Sequence, residues 1–119
     1  MMTYLEKDGK VSCLHYTLPV DFSSMHSVIE MLMMAKYFYP HWEQVYGVTV
    51  PRSVMKKIFG TDEYKEWEKT ATLAAEPPTI LGLKLRQDVS LLDDAVVLVD
   101  EKGCDLCVIY LDAQENTDA

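Results

Sequence analysis

Four groups of residues have types and spacings that could do chemistry. Cys104-Asp105-Leu106-Cys107 carries the two-residue gap that brings a pair of thiolates to one zinc ion or one redox disulfide. A structural zinc site needs four ligands, and only Cys13, His15, His26 and His41 remain to complete it. A redox pair needs its first sulfur at a helix N-terminus, whereas this segment opens a β-rich stretch on which residues three apart face opposite ways. Both cysteines therefore read as packing residues. Ser12, Cys13 and His15 bring two nucleophiles close to a base, but on a strand Cys13 and His15 share one face while Ser12 takes the other, and no Gly-x-Ser-x-Gly elbow surrounds them. Asp93-Asp94 offers adjacent carboxylates for a cation or an acid and base pair, yet their place between two strands is that of solvated turn residues. Arg52, Lys56 and Lys57 form too small a basic group for a nucleic-acid footprint, and the chain has no glycine-rich phosphate cradle. The expectation is a protein that is not an enzyme, with no catalytic residue, cofactor or metal site.

These residues must be positioned by elements that the patterning predicts. Met2–Glu6 and Lys10–Leu18 are rich in β-formers and flank Asp8-Gly9, which predicts an antiparallel hairpin because glycine reaches positive φ cheaply in the turn. Asp21, Ser23 or Ser24 then caps a helix whose apolar residues Met25, Val28, Ile29, Leu32 and Ala35 recur at helical spacing. A second apolar set, Met31, Met34 and Phe38, leaves that helix polar only at His26, Ser27, Glu30 and Lys36, so it is either buried centrally or meets a partner. His41–Gly47 reads as a helical turn closed by Gly47. Pro51 starts a helix that Gly60 stops, and Thr61 caps another whose stripe is Tyr64, Trp67 and Ala71 or Ala74. Glu76-Pro77-Pro78 separates the helical half from strands. Thr79–Arg86 reads as one half-exposed strand with Leu81, Leu83 and Leu85 on one side, and Ala95–Val99 and Cys107–Leu111 read as central strands joined by a turn at Asp100–Gly103. The predicted fold class is α+β, an antiparallel or mixed sheet covered by three or four helices, with one domain over residues 1–112 and a disordered tail at 113–119.

With 119 residues and 49% hydrophobic content, the chain fits one globular domain. No apolar run reaches the roughly 18 residues of a membrane span, and neither the start nor the odd count of three cysteines suits a secreted disulfide scaffold, so a cytoplasmic location is expected. The net charge of −8 is local: residues 1–87 hold ten acids and ten bases, whereas residues 88–119 hold nine acids against Lys102. Such a field repels nucleic-acid phosphates and attracts a basic protein surface. A merely solubilising, solvated segment is the alternative.

The segment PPTILGLKLRQDVSLLDDAVVLVDEKGCDLCVIYLD resembles the late part of HK97-fold phage capsid proteins, with Pro77, Pro78, Thr79, Gly82 and Asp100 at matching positions, an acidic loop and an apolar strand ending in Asp. The preceding VPRSVMKKIFG is similar to the helix that comes before it, so the resemblance spans about half of the chain, roughly residues 48–112. The long spine helix and extended arm of those proteins are missing, so the resemblance implies a small tailed-phage or mobile-element protein and is not evidence of a capsid role. Charge and resemblance together predict an interaction protein, an anti-defence inhibitor of a host or defence nucleic-acid-handling protein. Asp88, Asp93, Asp94, Asp100, Glu101 and Asp105 would bind the partner by imitating phosphates. The other expectation is a virion or assembly component that forms a homo-oligomer through the helix at 24–39.

Overall fold

A computed structural model describes residues 2–70 and 78–113. It is an α+β structure with a seven-stranded mixed sheet in the order β1-β2-β7-β6-β3-β5-β4 and three helices. Strands β1 (Met2–Lys7) and β2 (Lys10–Thr17) form the expected hairpin, and Asp8 and Gly9 both take positive φ in its turn, at 55° and 75°. Strand β2 then runs parallel to β7 (Asp105–Asp112). β7 is antiparallel to β6 (Ala95–Val99), and β6 is antiparallel to β3 (Gly47–Val50). On the far side β3 pairs in parallel with β5 (Leu83–Gln87), and β5 pairs with the short β4 (Thr79–Ile80).

The helices lie on one face of this sheet. Leu14 and Tyr16 of β2, Val48 and Val50 of β3, Leu83 and Leu85 of β5, Val96 and Leu98 of β6, and Cys107, Ile109 and Leu111 of β7 alternate along their strands and join one core cluster. That cluster includes Val28, Met31, Leu32 and Ala35 from α1 (Met25–Phe38). It also takes Val54, Met55 and Ile58 from α2 (Arg52–Phe59), and Tyr64 from α3 (Thr61–Thr70). Ser24 caps α1, its hydroxyl accepting from the Ser27 N–H at 3.5 Å. Among the described residues no helix covers the opposite face. One row of paired residues, Leu5, Cys13, Val108, Val97, Thr49 and Arg86, crosses six strands on that side. Among the described residues no helix is long and apolar enough to cross a membrane.

The structure corrects the sequence reading at four places. Gly47 does not close a helical turn: a 3-10 turn occupies Trp42–Gln44, and Gly47 opens β3, a strand too short to show a pattern. A Cβ there would lie 2.9 Å from the Lys84 carbonyl oxygen, so β3 enters between β6 and β5 only without a side chain at this point. Thr79–Arg86 is not one strand, because Leu81 and Gly82 both take positive φ and fold it into a hairpin; Ile80 replaces Leu81 as the buried residue. Pro51 is the cap before α2 and not its first residue. On α1 the buried stripe runs through Met31, which leaves Met25 exposed and Ile29 half-buried. The expected contributions of Ala71, Ala74, Glu76 and Pro77, and the tail beyond residue 113, lie outside the described residues, as does the side chain of Trp67.

Candidate functional site

The carboxyl ends of β2, β7, β3 and β5 and the start of β6 meet at one end of the sheet. Two loops cross that end, and main-chain bonds hold both. Residues 18–24 leave β2 with the Leu18 N–H donating to the Asp112 carbonyl at 2.9 Å, and the Ser27 hydroxyl donates to the Asp21 carbonyl at 3.2 Å. Residues 88–94 leave β5 with the Asp88 N–H on the Val50 carbonyl at 3.0 Å and join β6 with the Leu111 N–H on the Asp94 carbonyl at 2.7 Å. The Ser53 hydroxyl reaches the Asp93 carbonyl at 3.5 Å. Because the backbones are bonded inward, apolar side chains are left outside: Val20 is 91% exposed, Val89 74% and Leu92 72%.

Carboxylates share this end of the sheet with these apolar residues. Asp21, Asp88, Asp93, Asp94 and Asp112 all belong to this rim. Asp88 is held below the usual carboxylate range because the Ser90 hydroxyl and N–H both donate to its Oδ1, at 2.6 and 2.9 Å. Asp112 accepts at Oδ2 from His15 Nδ1 at 2.9 Å, an arrangement that requires the proton on Nδ1. The Asp93 and Asp94 carboxylates have no hydrogen-bond or ion-pair partner among the described residues. Two cations of α2 also reach this end of the sheet. Arg52 Nε donates to the Tyr64 hydroxyl at 3.1 Å, which donates on to Gln87 at 2.8 Å, and Lys57 sits over the Phe22 ring at 5.8 Å.

Of the six acids expected to bind a partner, Asp88, Asp93 and Asp94 are in this rim. Asp100, Glu101 and Asp105 are in and beside the turn at the other end of β6, and the six residue steps from Asp94 to Asp100 correspond to about 20 Å of extended chain. There Asp100 accepts from the Lys102 and Cys104 N–H groups, both at 2.9 Å, and Gly103 takes a φ of 82° to close the turn. The two groups do not form one patch. Asp21 and Asp112 were not among the expected residues; only the pairing of β2 with β7 brings them to the rim.

The other candidates are dispersed. Cys104 is exposed in the turn, whereas Cys107 is in the core, where burial, and secondarily Cys13, pushes its thiol up to about 11. Cys13 faces the opposite side of the sheet from Cys107. His15 stacks on Tyr110 with ring centroids 5.1 Å apart and is oriented by Asp112, as a general base would be. Cys13, two residues away on the same face, makes no hydrogen bond to it among the described residues, and the Ser12 hydroxyl instead donates to the Leu5 carbonyl at 3.1 Å. Among the described residues no three His, Cys, Asp or Glu side chains gather to hold a metal ion. No family model, curated protein or solved structure matches the chain.

Proposed function

We propose that the chain is a non-enzymatic binding protein that uses the carboxyl-end rim to occupy a basic surface of another protein. The observation that carries this reading is the pairing of exposed Val20, Val89 and Leu92 with the Asp93 and Asp94 carboxylates, which have no partner among the described residues, on two loops fixed by main-chain hydrogen bonds. Apolar residues supply contact area, and the carboxylates supply attraction and register towards lysine and arginine. A surface of that composition competes with a nucleic-acid backbone for the same groove, so the partner class is a nucleic-acid-handling protein, which the chain would inhibit.

Affinity capture from lysate of the native source, with the captured proteins identified, tests the reading. The expected result is a nucleic-acid-binding protein released by salt and displaced by duplex DNA. Reversal of Asp88, Asp93 and Asp94 to lysine should weaken capture by at least about 100-fold at low salt, and the same change at Asp100, Glu101 and Asp105 should not. Capture that survives the first triple variant sinks the proposal.

A further inference from the structure

We infer that the face of the sheet opposite the helices holds a small acidic amino acid, a ligand with two carboxylates and one ammonium group, in a cavity of about 200 Å³ between β5, β3 and the turn after β6. The inference is independent of the rim. A missing side chain makes the room: Gly47 pairs with Val99 of β6 on one side and Lys84 of β5 on the other, and a Cβ there would lie 2.9 Å from the Lys84 carbonyl oxygen and 3.3 Å from a Val99 methyl carbon. Val48, Leu83 and Leu85 face the core, so alternation sends Thr49, Lys84 and Arg86 to the opposite face, where all three line the cavity.

Charge is sorted across the cavity. Lys84 and Arg86, two residues apart on β5, form one wall, and Asp100, Glu101 and Lys102 of the turn form the other. β3 lies between β5 and β6, so the walls rise from strands about 10 Å apart. No ion pair joins them among the described residues, although unlike charges face one space. A ligand bearing both signs completes them. Three cations against two acids leave the lining one net positive charge, in a chain whose net charge is −8, and two carboxylates with one ammonium match it. The Arg86 guanidinium and the Thr49 hydroxyl donate to one carboxylate beside Lys84, and Lys102 takes the other. Asp100 is engaged by the turn's own N–H groups, so Glu101 is the acid that accepts from the ammonium. A nucleotide fits neither the volume, which is below the roughly 300 Å³ of ordinary ligand pockets, nor the two acids, which repel its phosphates.

Isothermal titration of the full chain with L-glutamate and L-aspartate tests the inference. The matching amide, L-glutamine or L-asparagine, lacks one carboxylate, and the matching dicarboxylate, glutarate or succinate, lacks the ammonium. At least one of the two acidic amino acids should bind with a dissociation constant of about 10 µM to 1 mM, and its amide and its dicarboxylate should each bind at least about tenfold more weakly. Arg86→Ala should weaken the amino acid at least about tenfold. Glu101→Gln should do the same and leave the dicarboxylate unchanged, which separates recognition of the ammonium from a general effect of charge. Both side chains are exposed, so the thermal melt stays with that of the parent. No binding of either amino acid up to about 10 mM, an amide or dicarboxylate bound as tightly, or indifference to either substitution would overturn the inference.

Discussion

The two ends of β6 carry the same residue type for different ends. At the turn, the Asp100 carboxylate is consumed by the chain itself, braced by the Lys102 and Cys104 N–H groups. At the rim, among the described residues, Asp93 and Asp94 contribute only their backbone carbonyls to the structure, accepting from Ser53 and Leu111. Their side chains are left for something else. An acid whose backbone is anchored and whose carboxylate is unengaged can take a partner without loosening the fold. An acid that closes a turn cannot, and this difference outweighs the net charge that both ends share.

Ways to break the comparison run from binding to stability. The largest expected effect is the loss of capture on reversal of the rim acids, with the turn acids as the control. Next is a stability contrast measured by urea unfolding: Asp100→Ala should cost about 1 kcal/mol through two lost charge-assisted hydrogen bonds, and Asp93→Ala should stay within about 0.5 kcal/mol of the parent. Equal costs at the two positions would erase the distinction.

Alkaline titration sharpens the contrast on the cysteines beside the turn. The Cys107 thiol is raised from 9.0 to about 11, chiefly by burial. A raised folded value means that the native state holds its proton longer, so this contribution to stability is full below pH 9 and is lost as pH rises through about 11. Burial raises Tyr16 and Tyr39 above their ordinary 10.0 in the same sense. The unfolding midpoint should fall across that window, and Cys107→Ala should flatten part of the fall. In the native protein at neutral pH, alkylation should modify exposed Cys104 and spare Cys107. The smallest effect is on the acid side: Asp88 is held low by Ser90, so its contribution is present above the ordinary carboxylate range and lost as pH falls through its depressed value. Ser90→Ala should shift the Asp88 titration upward by nuclear magnetic resonance.

The fold was legible where periodicity and turn chemistry agreed. Asp8-Gly9 announced the first hairpin, Ser24 and Gly60 bounded helices, and Ala95–Val99 and Cys107–Leu111 read as central strands because both of their faces are apolar. Reading failed at Gly47, whose role as the opening of a four-residue strand depends on the backbone of β5, and at Leu81-Gly82, where leucine in the left-handed region hides a turn inside an alternating run. Of the rim, Asp88, Asp93 and Asp94 were found by charge alone. Asp21 and Asp112 were missed because composition does not disclose that residues 91 positions apart come together when β2 lies beside β7.

That adjacency also bears on how the chain reaches its fold. Cys13 is paired with Val108, so the β1–β2 hairpin has no sheet to join until β7, about a hundred residues later, has been made. An isolated two-stranded hairpin is marginal in water, and loop closure over such a span is slow. Residues 2–38 must therefore wait with Leu14, Tyr16 and the buried stripe of α1 uncovered, as the client a chaperone would hold. A chain cut short before β7 would lose its first two strands as well as its last.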